Sequence, residues 1–196
     1  MSPQEKRKVS LSMYLTLDGY NEFPSYPGSE PGVDEPELVA EEMWIKRWDT
    51  IDTLLFDSKT YEEWAEFWPL ANRTPGEHPW FRQMSEFAER VQKVVLAASA
   101  RPTTWARSRF IPGDIADGLR ELRKEPGGTI TVVAPQMGLE MIRRGLIDDF
   151  LFAVSPVVLG KGRQFFGELD HPQTLRLLEA KTLKAGELFL HYEAVS

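Results

Sequence analysis

Three short stretches carry residue types that could do chemistry at a strand end: Leu17-Asp18-Gly19, Asp57-Ser58-Lys59-Thr60 and Ala134-Pro135-Gln136-Met137-Gly138. Asp18 ends an otherwise uncharged strand pattern, and the glycine after it lets the backbone approach a ligand closely. It could anchor a polar substrate or relay a proton, or it could be only a turn residue. At the second stretch a short apolar run, Leu54-Leu55-Phe56, gives way to helical spacing from Lys59. A strand feeding directly into a helix is where free backbone N–H groups cradle phosphate, yet this turn carries a carboxylate. Asp57 either caps the helix or modifies a ligand site.

Several other chemistries are excluded by composition and spacing. There is no cysteine, so disulfides, thiolate metal sites and Cys nucleophiles are absent. His78, His171 and His191 are far apart and form no HExxH pair, so structural roles are expected and no metal site. No Gly-x-Ser-x-Gly elbow occurs, and Gly160-Lys161-Gly162-Arg163 lacks the frame of a phosphate loop. The neighbouring carboxylates Glu41-Glu42, Glu62-Glu63 and Asp148-Asp149 point apart and read as surface charge. A net charge of −7 and a pI near 5.1 argue against nucleic acid or an anionic membrane as partner. No run reaches membrane-spanning length and the N-terminus has no apolar core of signal-peptide size, so a cytoplasmic protein is expected.

The elements that must position these residues follow from periodicity. With 196 residues and 42% apolar content, one domain over 1–196 with a single good core is expected. Residues 9–17 alternate, with Val9, Leu11, Met13, Leu15 and Leu17 on one face and Ser10, Ser12, Tyr14 and Thr16 on the other. A Pro- and Gly-rich loop over 23–36 precedes a helix read from Ala40, Met43, Trp44 and Trp48, whose tryptophans read as core. Strand 54–56 and its helix follow, then a polar loop over 70–79, a helix over 80–90 and a strand over 93–98. Asp114 can cap a helix carrying Ile115, Leu119 and Leu122, and 129–133 is a strand. Residues 137–144 are helical with Gly145 as terminator. Residues 149–159 are apolar on both faces, as in a strand covered on both sides, and 175–180 and 187–195 form a terminal pair. This alternation predicts an α/β sandwich with a mixed sheet, whose ligands gather at the carboxyl ends of the strands.

The order of motifs resembles the dihydrofolate-reductase-like family, in the branch that contains the reductase domain of bacterial riboflavin biosynthesis. The matching residues are Leu17-Asp18-Gly19, Lys59-Thr60-Tyr61-Glu62 with Trp68-Pro69 beyond, and Lys93-Val94-Val95-Leu96. They continue through Gly145-Leu146-Ile147-Asp148-Asp149, Pro156-Val157-Val158-Leu159-Gly160-Lys161-Gly162 and Phe166. The resemblance implies a three-layer α/β sandwich with a mainly parallel sheet and a homodimer built partly from the C-terminal strands. It further implies hydride transfer from NADPH to a pyrimidine, pterin or related heterocycle, as in 5-amino-6-(5-phosphoribosylamino)uracil reductase or dihydrofolate reductase. Carried over, Asp18 is the catalytic candidate, with Gly19, Tyr20 and Trp68 on the substrate side. Ser58, Lys59, Thr60, Ser99, Arg101, Ala134, Pro135 and the helix start at Gln136, Met137 and Gly138 would face the cofactor, and Gly160 and Gly162 would shape the loop beside it.

Two departures from the family pattern modify that expectation. Asp57-Ser58 stands where the family has Gly-Arg, which replaces a phosphate-pairing guanidinium with a hydroxyl and adds a negative charge. A hydrogen bond to a charged group contributes roughly 1.5–3 kcal/mol, so NADPH affinity is expected to fall by about one to two orders of magnitude, with NADH favoured. Ala134-Pro135 stands where the family has a Gly-Gly pair joined by a cis peptide, so a cis bond is expected here too, with one N–H donor lost at Pro135. The alternative reading is a member that no longer reduces anything and instead holds a heterocycle or flavin in the same pocket.

Overall fold

The computed structural model describes residues 6–21, 44–99, 102–162, 164–167, 169–183 and 186–195. Eight strands form one sheet in the order β4-β3-β2-β5-β1-β6-β8-β7. They are β1 (Val9–Thr16), β2 (Ile51–Phe56), β3 (Gln92–Ala97), β4 (Ser108–Pro112), β5 (Thr129–Val132), β6 (Asp149–Ser155), β7 (Leu175–Thr182) and β8 (Leu188–Ala194). The first six pair in parallel, and β8 is antiparallel to both β6 and β7. Helices α1 (Ser58–Phe67), α2 (Pro79–Arg90), α3 (Ile115–Leu122) and α4 (Pro135–Arg143) complete the three layers.

Alternation along the strands divides the core in two. Leu11, Leu55, Val94, Val132 and Phe150 pack with Leu119 and Leu122 of α3 and Met137, Met141 and Ile142 of α4. Leu54, Phe56, Val95, Val133 and Leu151 point the other way, against Tyr61 of α1 and Met84, Phe87 and Ala88 of α2. Gly138 sits under α4 because a Cβ there would lie 2.7 Å from Leu11 Cδ1. The small residue lets that helix lie close against β1.

Five readings from sequence need correction or bounding. β4 was not anticipated: Ser108–Pro112 is an edge strand with few apolar side chains and a proline at its end, so no alternation announces it. β1 ends at Thr16, which leaves Leu17 63% exposed rather than in the core. β6 ends at Ser155, because Pro156 has no N–H to continue the ladder. Asp148 and Asp149 are not loose surface charge. Asp148 accepts from Val9 N at 2.8 Å and from Arg123, while Asp149 is buried against Lys8 and His191, both at 3.1 Å. Of the helix read from Ala40 to Trp48, the described part is a 3₁₀ turn at Ile45–Arg47, and 22–43, including the 23–36 loop, lies outside the described residues.

Candidate functional site at the carboxyl edge of the sheet

The strand order creates a switch point. β2 and β5 are neighbours, but the chain leaves β2 through α1 toward β3 on one side and leaves β5 through α4 toward β6 on the other. α1 and α4 therefore start side by side on opposite faces, and the crevice between such starts is where open α/β sheets bind ligands. It is formed by Asp57 and Ser58 at one helix start and Ala134 and Pro135 at the other.

The two helix starts differ. Asp57 is extended (φ −83°, ψ 169°) and its Oδ1 accepts from Thr60 N at 2.7 Å, a regular N-cap. The cap uses a donor of α1 and leaves a carboxylate where an anion would otherwise sit. α4 has no side-chain cap: Ala134 occupies the N-cap position and Pro135 the first turn. The backbone N–H groups of Gln136 and Met137 open that helix with no side chain bonded to them, and the helix dipole favours negative charge there. The described residues contain no cis peptide, so the Ala134–Pro135 bond is trans, contrary to the sequence expectation. Ala134 is extended (φ −94°, ψ 112°), and a trans bond leads into a proline whose fixed φ suits the first helical turn. Met137 and Gly138 turn inward, Met137 into the core and Gly138 against Leu11.

Next to β5, the ends of β1 and β6 are knitted together around Asp18. Its Oδ1 accepts from Thr16 Oγ1 at 2.7 Å and from Leu159 N at 3.2 Å, and its Oδ2 accepts from Gly160 N at 2.8 Å. Burial pushes the carboxyl pKa up, but the bonds from Gly160, Thr16 and Leu159 outweigh it and hold Asp18 below the ordinary carboxylate range. Gly160 reaches this position at φ +70°, a conformation costly for other residues. Thr16 Oγ1 also accepts from Tyr20 N at 3.0 Å, and Phe165 N donates to Gly19 O at 2.8 Å. Asp18, Gly19, Tyr20 and Gly160 thus share one loop cluster, with Asp18 as its clasp; no bond ties Gly162 to it among the described residues.

The remaining sequence candidates are more scattered. Thr60 is buried and Ser58 half-buried at the α1 start, whereas Lys59 turns to solvent, 3.8 Å from Glu63. Ser99 is exposed beyond β3, two strands from β5, and Arg101 lies outside the described residues. Trp68 ends α1 at the pole opposite Ser58, packed with Trp64, Phe67 and Phe81 beneath the Arg73 guanidinium.

Among the described residues no cluster of His, Asp or Glu could hold a metal ion, and no helix is long and apolar enough to cross a membrane. The donor set fits a dinucleotide in part. The uncapped start of α4 suits a diphosphate, while the Asp57 carboxylate does not suit a further phosphate at α1.

Comparison with known proteins bears on the fold and the family. The chain is 24% identical over 189 residues to the uncharacterized protein YyaP of Bacillus subtilis (strain 168), covering 96% of this chain and 95% of that one. Its fold matches the crystal structure of a putative riboflavin biosynthesis protein from Shewanella sp. PV-4 with a TM-score of 0.67, at 13% identity, over 96% of this chain and 99% of that one. It also matches a dihydrofolate reductase from Enterococcus faecalis complexed with NADP(H), with a TM-score of 0.54, at 13% identity, over 96% and 97%. The family model described as the RibD C-terminal domain matches residues 7–189, and the chain belongs to that family.

Proposed function

We propose that the protein is an NAD(P)H-dependent reductase of a planar heterocycle, a pyrimidine, pterin or related ring, with NADH or weakly held NADPH as donor. The observation that carries this reading is the switch point itself: an uncapped helix start at Ala134-Pro135 beside the Asp18 loop cluster, in a chain of a reductase-like family. The N–H groups of Gln136 and Met137 would hold the diphosphate, and Ser58 and Thr60 would line its other side. A reduced nicotinamide supplies a hydride to a ring carbon, and the neighbouring heteroatom takes a proton from solvent. The chain's own residues orient the two rings. Asp57 disfavours a 2′-phosphate both by its charge and by occupying the N–H that would bind it.

That same carboxylate, with the N–H missing at Pro135, favours a second reading, in which the pocket binds a heterocycle or flavin without reducing it. We also propose a homodimer through the C-terminal strands, where Leu177 and Leu178 of β7 are 51% and 45% exposed.

Titration of the purified protein with NADH and NADPH, followed by nicotinamide fluorescence alongside an absorbance scan for flavin, tests the reading. NADH binding at least as tightly as NADPH is expected. Tight, NADPH-selective binding would contradict the role given to Asp57, and binding of neither nucleotide would promote the second reading.

A further inference from the structure

Among the described residues nearly every arginine is ion-paired with a carboxylate, and Arg82, Arg90 and Arg107 are the exceptions. A shortage of acid is not the reason, since the chain has 30 Asp and Glu against 23 Lys and Arg. Two of the three exceptions, Arg90 and Arg107, line one groove of about 440 Å³. It lies at the amino ends of β2 and β3, the opposite strand ends from Asp57, and its lining includes the buried Ile51 and Val91. A groove of that size accommodates a small metabolite.

The groove is held in shape by its surroundings. Arg107 has φ +58°, the left-handed region that costs an arginine strain, and Lys93 N donates to its carbonyl at 2.9 Å. That bond fixes Arg107 beside the start of β3. The Arg90 guanidinium carbon lies 5.8 Å from the Phe87 ring centroid, and Trp48, another lining residue, stacks on Phe87 at 5.0 Å and on Trp80 at 6.1 Å. Two carboxylates also belong to the lining. Asp52 is committed to Arg7 and to Gly128 N, whereas Asp49 is exposed and forms no ion pair with either groove arginine. The groove therefore offers two guanidiniums in want of an anion and, apart from them, one acceptor.

We propose that this groove is a second ligand site, for a phosphate monoester that also carries hydroxyl groups, such as a sugar phosphate. Arg90 and Arg107 pair with the phosphate oxygens, and Asp49 accepts from a hydroxyl. A phosphate dianion matches two guanidinium forks in both charge and number of oxygens, whereas one carboxylate satisfies a single fork. Extended polyanions are disfavoured by the Asp49 and Asp52 carboxylates and by the net charge of −7. The site stands apart from the start of α4, so it does not depend on the reductase reading.

The test is calorimetric titration of the full chain with glucose 6-phosphate, inorganic phosphate, glucose and citrate at millimolar concentration. Glucose 6-phosphate is expected to bind, more tightly than inorganic phosphate, and glucose and citrate are not. Arg90→Gln and Arg107→Asn should each weaken glucose 6-phosphate roughly tenfold, the lower range for loss of a hydrogen bond to a charged group. Both residues are exposed, and asparagine adopts a positive φ more readily than arginine, so the urea midpoint of Arg107→Asn should equal or exceed that of the natural chain. Lost binding is then not lost folding. Arg82→Gln, which removes an unpaired arginine outside the groove, should change affinity by less than about twofold. Asp49→Ala should reduce the preference for glucose 6-phosphate over inorganic phosphate about threefold. Nucleotide affinity should be unchanged in every variant. No binding of glucose 6-phosphate, citrate binding as tightly, binding undiminished by both Arg90→Gln and Arg107→Asn, or an equal loss in Arg82→Gln each overturns the proposal. Failure of NADH and NADPH to bind would remove the reductase reading and leave this site standing.

Discussion

The two edges of the sheet treat their carboxylates differently. At the amino edge Asp52, Asp148 and Asp149 each meet a cation, respectively Arg7, Arg123 and Lys8. These groups also fasten backbone. Arg7 Nε donates to Gly128 O at 2.9 Å, and Asp52 accepts from Gly128 N at 2.6 Å. At the carboxyl edge, Asp18 and Asp57 meet only N–H and hydroxyl donors in their hydrogen bonds. The first arrangement neutralises charge within the protein. The second leaves two negative charges beside a helix start that attracts anions, which restrains how much phosphate the site will accept.

The largest expected effect lies at the amino edge. Asp52→Ala would leave the Arg7 side chain, only 5% exposed, without its carboxylate and should cost about 3 kcal/mol in urea unfolding. Combining it with Arg7→Met should recover most of that loss, because the stranded charge goes too. Nucleotide affinity should be unchanged throughout. If Asp52→Ala instead abolished nucleotide binding at unchanged stability, the division of labour between the edges would be wrong. Next comes Gly138→Val at the start of α4, where the added atoms meet the buried Leu11 and overpacking should cost about 2 kcal/mol. That loss should not change with salt, since it comes from packing rather than charge.

How far the sequence foretold this depends on range. Features set within a few residues were legible: the β1 alternation, the Asp114 cap at 2.8 Å to Ala116 N, and the start of α1 at Asp57. Asp57 even offered its capping role in advance. Features set by distant partners were not. Nothing near Lys93 in sequence shows that it is fully buried, with its Nζ 2.7 Å from Ala88 O and 4.5 Å from the Trp105 ring centroid, and burial lowers its pKa to about 8. Likewise the insertion of β5 between β2 and β1, which makes the switch point, is a non-local pairing. The strand ends read from periodicity already held the switch-point residues, whereas the resemblance carried over a cis bond that the α4 start does not have.

Smaller effects are expected at the carboxyl edge, beginning with Asp57. Asp57→Ala removes the N-cap and should cost about 1 kcal/mol, whereas Asp57→Asn keeps a good cap and should change stability by only a few tenths. Both should improve NADPH relative to NADH severalfold, measured as a ratio of dissociation constants. If Asp57→Asn left that ratio unchanged, the carboxylate would be a cap and nothing more.

The smallest effect, and the sharpest on mechanism, is that of Asp18→Asn. An asparagine oxygen can still accept from Thr16 or Gly160, so only the charge on those bonds is lost. The folded pKa of Asp18 lies below its ordinary value of 3.8, so the carboxylate's contribution is fully present above that value and disappears as pH falls through the folded one. Urea midpoints of the natural chain and the variant should therefore differ by a constant amount from pH 7 to about pH 4, with the natural chain ahead, and converge below it. A gap that persisted unchanged into acid would mean that shape rather than charge holds residues 159 and 160 to the end of β1. The contrast between cation-paired and backbone-paired carboxylates would then lose its electrostatic content at this edge.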